Sequence, residues 1–287
     1  MRTKTSRLLV TKFNRDSSSR VVDMVAEEEP LEVRIQTPAG MVVPVSTSMR
    51  TPGKDFELAI GMVLSERLAT QEMIRGARYC TDIESDSQQY NVVTVQLNGE
   101  PLRDVRNSLT VKNSSCGLCG TAEISDLKST VEPVGSTLKI KAEDLFALPD
   151  LLTDIQPLFS RTGGVHCVAV KRSNGQVHAC EDVGRHNAFD KVIGELATVR
   201  LIGEPSMIAV LSGRVSFEMV QKASIAKIEL IAAVSAPTGL AIRSADEMGI
   251  TLCAFVREGS ANVYSHPERI EQLDFGEIEP HLQRLDR

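Results

Sequence analysis

From residue 143 onward, short apolar runs alternate with segments of helical spacing, and this rhythm is the strongest constraint on the fold. Segment 143–159 has helical spacing interrupted by Pro149 and Pro157. Segments 165–171 and 176–180 read as paired strands about the turn Ser173-Asn174-Gly175. Helices are expected over 187–196, 216–227 and 238–248, with buried strands at 206–211 and 229–234 between them. Strands at 251–256 and 261–264 close the series. Strands alternating with helices at this spacing predict a layered α/β domain around a largely parallel central sheet.

The first third has a different rhythm. Leu31, Val33 and Ile35 alternate with Glu32 and Arg34, as in a half-buried strand, and Pro38-Ala39-Gly40 turns the chain into a partner strand at 41–45. Phe56, Ala59, Ile60, Val63, Leu64 and Leu68 share one helical face. Val93, Val95 and Leu97 alternate again and end at Asn98-Gly99. Residues 21–112 therefore read as a small, mostly-β domain with at least one helix. Residues 113–121 are small, polar and glycine-rich, a loop by composition, and mark the joint to an α/β domain spanning 122–287. Residues 1–20 carry six basic side chains against the single acid Asp16 and read as a flexible basic tail.

Composition narrows the function classes. The 287-residue chain has no Trp, eight Phe and three Tyr, too few aromatics for single-strand nucleic-acid stacking platforms. A net charge of −6 disfavours general polyanion binding, although a local basic cluster remains possible. No apolar run reaches transmembrane length. The six cysteines, Cys80, Cys116, Cys119, Cys167, Cys180 and Cys253, are too scattered for a secreted disulfide scaffold, and the reading is cytoplasmic. Cys167, Cys180 and Cys253 lie in apolar strand patterns and read as buried, inert thiols.

Cys116-Gly117-Leu118-Cys119 is a lone CxxC. A structural zinc site would need two further ligands, and no second CxxC supplies them. A dithiol oxidoreductase would place the motif between a strand and a helix, whereas a polar stretch follows here. Sulfur relay is the third chemistry: an exposed thiolate accepts a sulfane sulfur as a persulfide and passes it on. Gly117, Gly120, Ser114 and Ser115 suit such an arm, and Cys119 could displace the outer sulfur by thiol exchange.

Three polar turns should converge. They are Glu181-Asp182-Val183-Gly184-Arg185-His186-Asn187, Leu211-Ser212-Gly213-Arg214-Val215-Ser216 and Ser235-Ala236-Pro237-Thr238-Gly239. Each follows a predicted strand and precedes a predicted helix, so each belongs at the carboxyl edge of the sheet, where ligands bind in open α/β folds. Helix-start amides together with Arg185, Lys191, Arg214, Ser212 and Thr238 would make an anion site for a phosphate or pyrophosphate. Arg161-Thr162-Gly163-Gly164 forms a possible fourth wall. Arg257 and Ser260, after the 251–256 strand, are placed to reach the same edge.

With these residues in order the chain resembles the formate dehydrogenase accessory sulfurtransferases, the FdhD/NarQ family. The resemblance rests on Glu28-Glu29-Pro30-Leu31, Met49-Arg50-Thr51-Pro52-Gly53, the Cys116 loop, Thr162-Gly163-Gly164-Val165-His166, Glu181 through Ala188, Ser212-Gly213-Arg214, Ser235-Ala236-Pro237-Thr238 and His266-Pro267-Glu268-Arg269-Ile270. It implies a sulfur carrier that takes sulfur from a cysteine desulfurase as a Cys116 persulfide. It further implies transfer to the molybdenum cofactor, as bis(molybdopterin guanine dinucleotide), before insertion into the formate dehydrogenase apoenzyme. Phe255, Val256, Arg257, Glu258, Gly259 and Ser260 are implied cofactor contacts, beside Gly184, Arg185, His186, Asn187, Ser212, Gly213, Arg214 and Thr238 from the turns. The resemblance also implies a homodimer and a second domain like the cytidine deaminase fold, without that fold's His-x-Glu and Pro-Cys-x-x-Cys zinc site. A cofactor-binding chaperone without sulfur transfer and a CxxC dithiol oxidoreductase are the alternatives.

Overall fold

A computed structural model describes residues 3–80, 90–103 and 133–271. Strands β1 (Thr5–Asn14) and β2 (Ser17–Ala26) pair antiparallel from Thr5↔Ala26 to Asn14↔Ser17. The segment expected as a basic tail is thus largely a hairpin. Its Ser17-Ser18-Ser19 run looked unstructured by composition, yet backbone pairing across the register does not depend on side-chain polarity.

A four-stranded sheet follows, in the order β4-β3-β6-β5, from β3 (Glu29–Gln36), β4 (Val42–Arg50), β5 (Ile74–Tyr79) and β6 (Val92–Leu97). Alternation along β3 is strict: Leu31, Val33 and Ile35 are fully buried, while Glu32 and Arg34 pair with each other on the other face at 2.8 Å. Helix α1 (Asp55–Ser65) packs on the buried face.

The second sheet has six strands in the order β13-β12-β11-β10-β8-β9. They are β8 (His166–Lys171), β9 (Val177–Asp182), β10 (Ile208–Leu211), β11 (Leu230–Ala233), β12 (Thr251–Arg257) and β13 (Ser260–Ser265). A short parallel pair, β7 (Ile140–Lys141) with β14 (Ile270–Glu271), lies apart. The sheet is mixed, and this corrects the expectation of a largely parallel one. Only β10–β11 and β11–β12 are parallel, and β8, β9 and β13 pair antiparallel. A buried apolar run looks alike in either direction, so the sequence pattern carries no sign for it.

Strand alternation divides the interior in two. Val168, Val170, Leu211, Ile231 and Leu252 face a core shared with α1, the four-stranded sheet, α5 (Arg185–Thr198), α6 (Phe217–Ile225) and α7 (Gly239–Glu247). Cys167, Ala169, Val210, Ala232 and Cys253 face the second core with Leu145, Leu148 and Leu152. That side is covered by α2 (Ala142–Phe146), α3 (Asp150–Ile155) and α4 (Pro157–Thr162), the pieces into which Pro149 and Pro157 break the expected helix. One core therefore runs from the first sheet into the second, across the expected domain joint. The joint itself, at 113–121, lies outside the described residues.

Candidate functional site

Strands β9, β10, β11 and β12 run in one direction and β8 runs against them, so the carboxyl ends of four strands and the amino end of β8 share one edge. The three turns meet there despite the mixed topology. Ser212 N donates to Cys167 O at 3.1 Å, and Ser212 Oγ accepts from Cys167 N at 2.9 Å. Val215 N donates to Ala236 O at 3.1 Å, and Thr238 N to Val215 O at 3.0 Å. Phe255 N reaches Ser235 O at 3.4 Å. The amino ends of α5, α6 and α7 open onto this edge, and free helix-start amides favour an anion.

The charge there is mostly positive. Arg185 and His186 begin α5, and Arg214 follows β10. Gly213 permits the close approach of His166 and Arg185: a Cβ on it would stand 3.2 Å from His166 Nδ1 and 3.7 Å from Arg185 Cδ. His186 Nε2 lies 2.5 Å from Glu218 Oε2 on α6. Arg185 Nε and Ser216 Oγ are buried without a hydrogen-bond partner among the described residues. Burial first, then Arg185, His186 and Arg214, hold His166 below the ordinary imidazole range, with Asp182 opposing. Beside His166 and Ser212 opens a cavity of about 630 Å³, whose apolar wall includes Leu152, Phe159, Val165 and Val234.

A buried network holds the Arg185 turn. Asp182 Oδ2 accepts from Lys191 Nζ at 2.7 Å and from Thr51 N at 3.1 Å, and Asp182 Oδ1 accepts from Gly184 N at 2.9 Å. Lys191 Nζ also donates to Thr51 O at 2.8 Å, and Thr51 Oγ1 accepts from Val183 N at 3.1 Å. Asn187 Nδ2 donates to Met49 O at 2.7 Å and to Asp182 Oδ1 at 3.1 Å. Lys191 was expected among the anion ligands. It is instead the buried counter-ion of Asp182, 2% exposed, and its ammonium is held by Asp182 and the Thr51 carbonyl. Asn187 is buried in the same network.

The other expected residues divide by exposure. Gly184 is the N-cap of α5. Thr238 is at the edge, but its Oγ1 caps α7 by accepting from Ala241 N at 3.2 Å. Val256 is fully buried in the second core. Phe255, Arg257, Glu258, Gly259 and Ser260 are exposed at the β12–β13 turn, where the register slips. Phe255 has φ of 52°, left-handed for a non-glycine residue. Cys116 and Cys119 lie outside the described residues. Burial pushes the Cys167, Cys180 and Cys253 thiols up to about 12, which leaves them protonated and unreactive.

His166, Asp182 and Glu218 were not singled out as site residues from sequence. His166 could have been found, because it follows the glycine pair proposed as the fourth wall. Glu218 gave no signal, since its role depends on His186 standing opposite it.

The FdhD/NarQ family model matches residues 26–271. The chain belongs to the FdhD/NarQ family. It is 40% identical over 275 residues to the sulfur carrier protein FdhD of Mycolicibacterium paratuberculosis, covering 93% of this chain and 98% of that one. It is 40% identical over 250 residues to the sulfur carrier protein FdhD of Thermoplasma acidophilum, covering 86% and 87% respectively. The fold matches a crystal structure described as that of a formate dehydrogenase accessory protein from Desulfotalea psychrophila. The TM-score is 0.74 at 21% identity, over 94% of this chain and 100% of that one. No described helix of this FdhD/NarQ chain is long and apolar enough to cross a membrane.

Proposed function

We propose that this FdhD/NarQ protein is a sulfur carrier for formate dehydrogenase and works as a sulfurtransferase through a persulfide on Cys116. The Cys116 thiolate attacks the outer sulfur of a persulfide on a cysteine desulfurase. The donor's S–S bond breaks and its thiolate leaves, so one sulfane sulfur moves without an external oxidant. The outer sulfur would then pass, as hydrosulfide, to the molybdenum of a bis(molybdopterin guanine dinucleotide) bound as cargo before its insertion into the dehydrogenase, replacing an oxygen ligand that leaves as water. Cys119 is the candidate resolving thiol. Its attack on the inner sulfur of Cys116 would form a Cys116–Cys119 disulfide and release the outer sulfur as hydrosulfide, and a thiol reductant would restore the pair.

The observation that carries this reading is the gathering of Arg185, Arg214 and His186 around His166, which lines a large cavity at one sheet edge, in a chain of this family. A guanine dinucleotide is a pyrophosphate ester, and forked guanidiniums at helix amino ends suit its charge and geometry. Phe255 and Arg257, exposed at the end of β12, would extend the same contact. The β10 and β11 turns supply further amides.

The test is intact mass after incubation with cysteine and a cysteine desulfurase. One added sulfur, absent from Cys116→Ala, is the expected result. Absence of the adduct on the unaltered protein would sink the sulfurtransferase reading and favour a cofactor chaperone. A stable dithiol–disulfide couple without sulfur uptake would favour an oxidoreductase.

A further inference from the structure

We infer that His166 is a proton-linked member of the anion pocket: neutral in the free protein, it takes up one proton from solvent when a dianionic phosphate-type group docks between Arg185 and Arg214. This rests on the reading of the sheet edge as an anion site. The residue stands at the first position of β8, where the cavity meets the cationic turns. Its Nδ1 lies against the bare Cα of Gly213, 3.2 Å from where a Cβ would stand, and Arg185 Cδ is 3.7 Å from the same point.

The groups facing His166 come from three elements. Arg185 and His186 come from α5, Arg214 from the turn after β10, and Asp182 from β9. The one acid among them is already engaged. Asp182 holds the Lys191 ammonium, the Thr51 and Gly184 amides and the Asn187 side chain. Glu218 is the partner of His186. Among the described residues, an imidazolium at position 166 would thus stand among cations with no carboxylate of its own. Burial adds to the cost of charging it, and both effects lower its proton affinity. A docked dianion reverses the local field and removes that cost. A permanent cation here would repel Arg185 and Arg214 in the empty pocket. An imidazole supplies the extra positive charge only when the ligand is present.

Sulfate is a suitable probe, because it is a dianion that does not titrate near neutrality. His166 ring signals are followed by NMR on the full chain from pH 5 to 8.5, in sulfate and in chloride at equal ionic strength. The expected result is saturable shifts at the amides of Arg185, His186 and Gly213, and a His166 pKa higher in sulfate by about one unit, a tenfold coupling. Sulfate then binds a few-fold more tightly at pH 6 than at pH 8, the full factor of about ten being reached only below the pKa of the free protein. His166→Asn loses most of that dependence, and His266→Asn, beyond the carboxyl end of β13, keeps it. Saturable shifts with an unmoved His166 pKa would overturn the inference and leave the anion pocket standing. No saturable shift at these three residues would overturn both. The pKa measurement needs only the unaltered protein, so a poorly folding variant does not decide the matter.

Discussion

Gly194 and Glu57 touch backbone to backbone where α5 crosses α1: a Cβ on Gly194 would stand 1.8 Å from the Glu57 carbonyl oxygen. The contact is reciprocal, since a Cβ on Gly61 of α1 would stand 1.8 Å from the Asp190 carbonyl oxygen of α5. These two glycines let the helix that opens the candidate site lie directly on the helix behind the first sheet. Gly194→Ala should push the helices apart and lower stability by about 3 kcal/mol, at the upper end of overpacking penalties. Urea unfolding monitored by circular dichroism checks this. A loss below about 0.5 kcal/mol would mean that the helices can separate at little cost.

The Lys191–Asp182 pair ties the Thr51 segment to the Arg185 turn. Lys191→Met removes the cation and leaves a buried carboxylate facing amides alone. Loss of one partner of a buried pair is expected to cost about 3–5 kcal/mol. The same variant should weaken anion binding at the sheet edge, because the backbone of 183–185 loses its anchor. Denaturant unfolding and sulfate titration read the two effects separately.

Glu229 gathers the chain before β7. It accepts from the Thr137 and Leu138 amides at 2.8 Å each, from Ser206 N at 2.8 Å and from Thr137 Oγ1 at 2.6 Å. Burial alone would raise its pKa, but these hydrogen bonds outweigh burial and hold the carboxyl below its ordinary value of 4.5. The folded value is the depressed one, so the stabilisation is fully present above the unfolded value. It is lost as pH falls through the folded value. Glu229→Gln should therefore be less stable than the parent at pH 7, with the gap closing below about pH 4. Melting temperatures of the two proteins from pH 3 to 7 give the comparison.

The thiols sort by environment. Cys167, Cys180 and Cys253 are at most 5% exposed. Cys180 has Lys54 Nζ at 3.3 Å, yet burial still dominates its proton affinity. Iodoacetamide at pH 8 should leave these three unmodified in the native protein and alkylate them in urea. Peptide mass spectrometry of the two samples settles which cysteines react.

Much of the candidate site's placement is legible in the sequence. The turns carrying Arg185, Ser212, Gly213, Arg214 and Thr238 each stood between a strand pattern and a helix pattern, and that placement alone predicts a common edge. Their individual roles were not legible. Lys191 and Asn187 looked as available as Arg185 because polarity is visible in sequence and burial beside a carboxylate is not. Thr238 reads equally well as ligand or cap, and the Ala241 amide makes it a cap. The hairpin of residues 5–26 was missed because serine-rich composition hid a register made by backbone hydrogen bonds.

What the amino-acid order determined by itself is the alternation of strands and helices from residue 165 onward, the family, the three polar turns and the CxxC pair, all of which are local patterns of periodicity and spacing. Only the tertiary structure decided the strand directions, the continuity of the core between the sheets and which charges are neutralised inside. Those depend on distances between residues far apart in the chain, such as Thr51 and Lys191, 140 positions apart and joined at 2.8 Å. The meeting of His166 with Gly213 and Arg185 is a fact of the same kind. Its electrostatic consequence exists only once β8, β10 and α5 share an edge.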